Sequence, residues 1–198
     1  MTLTARKLTL DDIADLRAYE RERQAFREHI KALKAKRRVQ VGPITTFVFE
    51  NRDTIRFQVQ EMARVEKIIT DEGIQAELDV YNPLIPEPGQ LSATLFLELT
   101  TKEALRTWLP KLVGIERAAV LRVAGDELAC VPDERHEEQL TRDDVTASVH
   151  YVRWELTPEQ IEKFALGPVE LAIVHPSYQA SVELPVTTTA ELLQDLRA

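Results

Sequence analysis

The sequence contains few of the residues from which phosphate-binding loops are built. It has six glycines in 198 residues, and the closest two stand eleven positions apart. A Walker loop or a dinucleotide fingerprint needs several glycines within about six residues, so that bare backbone can approach a phosphate. The sequence therefore predicts no nucleotide-binding loop of either kind.

Cysteine and histidine are equally sparse. The single cysteine, Cys130, excludes an internal disulfide, a thiolate zinc site and a cysteine-ligated iron–sulfur cluster, and we expect it to be a small core residue. The four histidines form neither an H-x-x-x-H nor an E-x-x-H pair, so the helical zinc and di-iron patterns are missing. No serine stands in a G-x-S-x-G or S-x-x-K context, which excludes the common nucleophile motifs.

Composition is typical of a folded protein without a membrane span. Hydrophobic residues make up 44% of the chain and charged residues 29%. The first ten residues lack the apolar stretch of a secretory signal, and a lone cysteine suits a reducing compartment. We therefore expect a cytoplasmic protein.

The net charge of -8 conceals a split along the chain. Residues 1–42 carry eleven basic and six acidic side chains, whereas residues 43–198 carry 14 and 27. A polarised surface can steer association with a charged partner. The alternative is a solvated helix face that packs near the acidic remainder. Nucleic acid is not favoured, because acidic residues are interleaved and no stacking aromatics accompany the late lysines.

Apolar periodicity predicts mainly helices in the first part of the chain. One or two helices are expected over about 10–38, followed by a strand over 44–49. A helix over about 54–71 has Gly73 as its stop and a short helix over 74–80 after it. Its predicted core stripe is Ile55, Val59, Met62, Val65 and Ile69. The proline-rich segment 82–89 reads as a rigid, extended connection.

Beyond residue 90 the period changes to that of strands. Strands are expected at 91–99, 116–124, 127–131, 146–156, 169–174 and 178–184, with helices at 102–113, from Thr157, and at 188–196, and a polar loop or short helix at 132–144. This order favours an α+β fold, with N-terminal helices followed by a mostly antiparallel sheet with interspersed helices. We expect a single domain over 1–198, with a mainly helical part and one short strand in 1–90 and the antiparallel part in 91–198.

A polar series leads from the first predicted strand into the following helix. A strand end that feeds a helix N-terminus is a plausible anion site, because free backbone N–H groups and Arg52 would point the same way. Further polar side chains lie beside the apolar stripe, which favours a buried polar network. The candidate ligand-binding residues are Glu50, Asn51, Arg52, Gln58, Glu61, Arg64 and Tyr81. The alternative is that this series forms helix caps and ion pairs.

Two histidines of the predicted sheet form a weaker candidate site. His150 shares an apolar strand face with Val152 and Trp154, which is more typical of a hydrogen-bonded core residue than of a ligand. His175 closes a later strand. If the two strands are neighbours, His150 and His175 approach each other in a mixed pocket suited to a metal or to acid–base chemistry.

Several motifs together resemble one bacterial family. They are Lys36-Arg37-Arg38-Val39 through Gly42, Phe49-Glu50-Asn51-Arg52, Gln58-Val59-Gln60-Glu61-Met62, Tyr81-Asn82-Pro83-Leu84-Ile85-Pro86, Ser148-Val149-His150-Tyr151 and His175-Pro176-Ser177-Tyr178. Along nearly its whole length the chain looks like the family named domain of unknown function 3501. That family has no established activity. Its members are often encoded beside rubrerythrin-like proteins and iron–sulfur oxidoreductases, so the resemblance implies a role in peroxide defence or electron transfer.

Two functional hypotheses follow. The first is an accessory or partner-binding protein of a bacterial redox or peroxide-defence system, with rubrerythrin-like or iron–sulfur proteins as its partners and no redox centre of its own. The second is a small-molecule or metal-binding enzyme, whose polar cleft would combine the 50–66 segment, Tyr81 and the two histidines. The sequence leaves catalysis, the cofactor and a homo-oligomer open.

Overall fold

The computed structural model describes residues 6–133 and 144–197, and within them it contains six α-helices and nine β-strands. The helices α1 to α6 run over Leu16–Arg37, Arg52–Glu66, Asp71–Tyr81, Lys102–Trp108, Pro158–Leu166 and Val186–Arg197. The strands β1 to β9 run over Arg38–Val41, Thr45–Glu50, Gln90–Leu97, Ala119–Val123, Asp126–Ala129, Val131–Pro132, Val149–Glu155, Val169–His175 and Tyr178–Glu183. Most of the segment predicted as a loop or short helix at 132–144 lies outside the described residues.

The strands form two antiparallel sheets. The first has the order β1-β2-β3-β7-β6 and the second has the order β5-β4-β8-β9. Every neighbouring pair of strands is antiparallel, so the predicted α+β class is confirmed. None of the helices in the described ranges is long and apolar enough to cross a membrane.

The main core lies between the two sheets. The first sheet contributes Phe47, Phe49, Leu95 and Trp154, which share one face because side chains alternate along a strand. The second sheet and the last two helices complete this core with Leu121, Leu171, Ile173, Phe164, Leu192 and Leu196. Cys130 is a buried member of the same cluster, as expected, and burial raises the pKa of its thiol to about 11.

The opposite face of the first sheet meets the N-terminal helices. A second, smaller apolar cluster there contains Ile55 and Val59 of α2 and Leu78 of α3, and Tyr151 of β7 packs against it. Because side chains alternate along a strand, Thr94 of β3 points to this face while its neighbours point into the main core. The first sheet is therefore covered on both faces.

The N-terminal part contains a strand, β1, that the sequence pattern did not predict. The predicted helix reached about residue 38, but α1 ends at Arg37 and β1 begins at Arg38. Val39 and Val41 of β1 are buried, and β1 pairs with β2 across a turn in which Gly42 has a φ of 72°. The expectation of one short strand in residues 1–90 was therefore wrong, because this pairing partner lies within the same stretch of chain.

The second helix is shorter than its periodicity predicted. It ends at Glu66, and Lys67 takes a left-handed conformation with a φ of 58°. Val65 and Ile69, predicted as core, are 68% and 81% exposed. Gly73 does not stop this helix but lies in the first turn of α3, where its N–H donates to the capping Thr70 hydroxyl.

The basic end of α1 is anchored to the last helix. Arg37 is 1% exposed, and its guanidinium donates to Asp195 at 2.6 Å and to Glu191 at 3.0 Å. Burial by itself would lower the pKa of Arg37, but hydrogen bonds to the two carboxylates outweigh it and raise that pKa. One of the most basic parts of the chain is therefore neutralised inside the fold.

We expect Arg37→Met to reduce the free energy of unfolding by about 3 kcal/mol, because it leaves two largely buried carboxylates without their partner. Urea unfolding followed by circular dichroism measures the change. Arg27→Met is the matched control, since Arg27 is exposed on the same helix, and its effect should stay within about 0.5 kcal/mol. Equal losses in the two variants would contradict a buried ion-pair anchor.

Candidate functional site

A cavity of about 250 Å³ lies between the outer face of the first sheet and the N-terminal helices. Its polar lining residues are Lys34, Glu50, Gln58, Tyr81, Thr94 and Tyr151, and its apolar lining residues are Ile55, Leu84, Phe96 and Val149. Three of the candidate residues named from the sequence, Glu50, Gln58 and Tyr81, therefore meet at one place. They come from a strand and from two different helices.

Strand pairing puts a carboxylate and two hydroxyl groups on the same sheet face. Thr94 on β3 lies opposite Tyr151 on β7, and Glu50 closes the adjacent strand β2. The Thr94 hydroxyl donates to Oε1 of Glu50 at 2.6 Å. The cavity wall is thus a product of the register between three strands.

Glu50 needs hydrogen-bonding partners more than any other group at the cavity. The residue is only 6% exposed, and burial of a carboxylate is costly unless hydrogen bonds replace its hydration. Within the described residues, Thr94 is its hydrogen-bonding partner. Because an ionised carboxylate has about four acceptor positions, one hydroxyl donor leaves most of its acceptor capacity unused.

Tyr151 remains a neutral hydroxyl beside this carboxylate. Burial raises its pKa to about 12, and the nearby Tyr81 and Glu50 raise it in the same direction. A negative charge on Tyr151 would lie in a poorly hydrated place near another acidic group. At neutral pH the Tyr151 side chain therefore keeps its proton.

Two of the other candidates have local structural roles. Asn51 caps α2: its side chain accepts from the Thr54 N–H at 3.0 Å, and its own N–H donates to the Thr54 hydroxyl at 2.9 Å. Arg52 forms an ion pair with Asp12 at 2.5 Å. For these two residues the alternative hypothesis holds, in which the polar series forms helix caps and ion pairs and not a ligand site.

Glu61 and Arg64 join α2 to α1. Glu61 accepts from the Tyr19 hydroxyl at 2.7 Å and from two nitrogens of Arg23 at 2.7 and 2.8 Å. Arg64 forms an ion pair with Glu20 of α1. The hydrogen bonds from Arg23, followed by that from Tyr19, lower the pKa of Glu61 against the opposing effect of burial.

The two histidines lie in different sheets. The condition for a shared site, that their strands are neighbours, is not met, because β7 pairs with β3 and β6, whereas β8 pairs with β4 and β9. Alternation along a strand determines which face a residue occupies but not which strand lies beside it.

Each histidine has its own hydrogen bonds. Nε2 of His150 lies 3.0 Å from the Thr146 hydroxyl and 3.0 Å from the Ala147 carbonyl. His175 engages both ring nitrogens: Nε2 donates to the Val113 carbonyl, and Nδ1 accepts from the Ser177 N–H. In residues 6–133 and 144–197 no group of three or more His, Cys, Asp and Glu side chains is arranged to hold a metal ion.

Sequence reasoning missed three polar residues of the cavity. They are Lys34, Thr94 and Tyr151, none of which was among the candidate site residues. The available signal was the interruption of apolar strands by hydroxyl-bearing residues. That signal becomes specific only when the order of strands is known.

Comparison with known proteins identifies the family. A protein-family model described as "Protein of unknown function (DUF3501)" matches residues 7–196. The chain belongs to this family. The resemblance inferred from the sequence motifs is therefore confirmed, and the matched range includes every residue that lines the cavity.

A solved structure has the same fold. It is described as a novel protein of unknown function from Burkholderia pseudomallei, and it is 35% identical to this chain. The match covers 96% of this chain and 99% of the other, with a TM-score of 0.88. A search of curated proteins found no match.

We expect Glu61→Gln to lower the stability at neutral pH by about 1–3 kcal/mol, the contribution of hydrogen bonds to a charged group. The pKa of Glu61 is lowered by folding, so its contribution is complete above the ordinary value of 4.5 and is lost as the pH falls through the folded value. Urea unfolding at several pH values should show the difference between the two proteins narrowing below about pH 4.5. A difference independent of pH would contradict the assignment.

Proposed function

We propose that the protein binds a small polar molecule in the cavity between the first sheet and helices α1 to α3. The observation that carries this proposal is the buried carboxylate of Glu50, which faces a cavity while holding one hydrogen bond from Thr94. A bound molecule that donates hydrogen bonds would offset the cost of burying this group.

The size and lining of the cavity support the same proposal. Its volume of about 250 Å³ lies just below the range of small-molecule sites, which begins at about 300 Å³, so it suits a small ligand. Such sites combine apolar walls with a few convergent polar groups. Here Phe96 and Ile55 belong to the walls, and Gln58 and Tyr81 are polar groups beside Glu50.

The distribution of charge gives less support to a charge-steered partner. Several cations of the basic segment already form ion pairs with carboxylates of the same chain. These pairs are Arg23 with Glu61, Arg37 with Asp195, and Arg38 with Glu98. These pairs are between the basic N-terminal segment and acidic residues of the rest of the chain. We therefore give the cavity precedence over the polarised surface.

We expect Val149→Phe to abolish ligand binding, because Val149 lines the cavity and a larger ring would occupy part of its volume. The measurement is a screen of small polar amines, acids and alcohols against isotope-labelled protein, with saturable NMR shifts at the cavity residues as the readout. At least about a tenfold loss of affinity is expected, the size of one lost charged hydrogen bond or more.

Val174→Phe is the matched control for this variant. Val174 is 46% exposed on β8, in the other sheet, and it does not line the cavity. The Val174→Phe variant should bind the ligand with unchanged affinity. The proposal fails if no compound shifts the cavity residues, or if both variants reduce binding equally.

An accessory role in a cytoplasmic redox or peroxide-defence system is our second proposal. The observation that favours it is an apolar groove of about 320 Å³, which includes Ile13, Ile68, Ile69 and Ile74. Ile69 is 81% exposed, and exposed apolar side chains at a groove are typical of protein interaction sites. The partner would be a rubrerythrin-like or iron–sulfur protein, as the family resemblance implies.

We expect Ile69→Asp to prevent capture of a rubrerythrin-like protein, because a carboxylate would have to be buried at the interface. A pull-down with both purified proteins measures the complex. Leu166→Asp is the control, since Leu166 is 88% exposed on α5 and does not line the groove. No complex with the unchanged protein, or equal loss in both variants, would contradict this role.

A further inference from the structure

We infer that the cavity takes a short zwitterion, with its ammonium group at Glu50 and Thr94 and its anionic group at Lys34. This inference rests on the proposed function and specifies the class of ligand. It follows from the acceptors at Glu50 and Thr94, the position of Lys34, and the volume and apolar lining of the cavity.

Glu50 and Thr94 present hydrogen-bond acceptors to the cavity. A threonine hydroxyl has one proton, and Thr94 donates that proton to Oε1 of Glu50 at 2.6 Å. The lone pairs of the Thr94 oxygen and the remaining positions of the carboxylate can then only accept. An ammonium group carries three donors and a positive charge, so it matches two neighbouring acceptors of which one is an anion.

The other charged group at the cavity is a cation. Lys34 of α1 lines the cavity and is half-buried, whereas Glu50 is buried. Among the described residues Lys34 forms no ion pair or hydrogen bond, with Glu50 or with any other side chain. An anionic group of a ligand would give its ammonium the partner that the protein does not supply.

The remaining lining of the cavity includes apolar side chains. They are Ile55, Leu84, Phe96 and Val149, which suit a chain of methylene groups. A volume of about 250 Å³ corresponds to roughly eight water molecules at liquid density. The ligand should therefore have about that number of non-hydrogen atoms.

Tyr151 adds no further charge. The pKa of Tyr151 is raised to about 12, so its hydroxyl is neutral beside Glu50. The cavity then holds one carboxylate and one ammonium, and a ligand with one charge of each sign pairs both. A ligand with a single charge would leave the other protein charge without a partner, which is costly for a buried charge such as that of Glu50.

The experiment compares three probes of similar length on the full chain at neutral pH. They are δ-aminovalerate, n-pentylamine and valerate, which carry both charges, the positive charge and the negative charge respectively. NMR titration of the cavity residues measures each affinity. We expect δ-aminovalerate to bind at least about tenfold more tightly than either of the others, because only it makes both charged contacts.

Variants assign each end of the ligand. Glu50→Gln should weaken δ-aminovalerate and n-pentylamine by about tenfold and spare valerate, whereas Lys34→Met should weaken δ-aminovalerate and valerate and spare n-pentylamine. Lys31→Met is the control, since Lys31 is exposed on the same helix and does not line the cavity. The comparison of probes on the unchanged protein stands even where a variant does not fold.

Two outcomes overturn the inference alone, and a third overturns the proposed function with it. If a single-charge probe shifts the cavity residues at the same concentration as δ-aminovalerate, the zwitterion is wrong and the proposed binding function remains. If none of the three probes binds but another small compound is blocked by Val149→Phe, the inference again fails alone. Absence of any compound that binds the cavity would remove the proposed function as well.

Discussion

The register between β2, β3 and β7 is the constraint on which the core and the cavity both depend. Because side chains alternate between faces, Leu95 enters the main core while the adjacent Thr94 faces the N-terminal helices. A slip of one residue would exchange these faces along the whole strand. It would bring hydroxyl groups into the apolar core and separate Thr94 from Glu50, so packing of the core also maintains the cavity.

Charge has a structural use that the net value conceals. The basic segment at the N-terminus is held against acidic residues of α2, α6 and the segment after β3, with Arg23, Arg37 and Arg38 as examples. Arg37 is nearly inaccessible, so its pair with Asp195 is buried where removal of either partner is expensive. Ion pairs therefore connect the basic N-terminal segment to the more acidic remainder of the chain. Lys34 differs from these cations because its ammonium group stands at the cavity and forms no ion pair among the described residues.

Local patterns predicted the elements better than their ends. The alternation in β3 and the proline and cap that open α5 were sufficient to predict both elements. For α2 the apolar period continues past the residue where the helix stops, since Lys67 reverses the backbone and Val65 remains exposed. Periodicity reports which residues could face a core, and only the packing of α3 against α2 decides where that core ends. For the same reason the pairing of the short strand β1 with β2 was not predicted from the sequence.

The sequence by itself determined the α+β class, the family, the absence of glycine-rich phosphate loops and the polar candidates Glu50, Gln58 and Tyr81. These follow from residue type and short-range spacing, which are properties of the chain alone. Tertiary structure decided which candidates meet: Glu50, Gln58 and Tyr81 join Thr94 and Lys34 at one cavity, whereas Glu61 was drawn into an ion pair with α1. It also put His150 and His175 in different sheets. The physical reason is that strand order and helix docking result from long-range packing of apolar faces, and the periodicity of a segment does not specify the partner of its face.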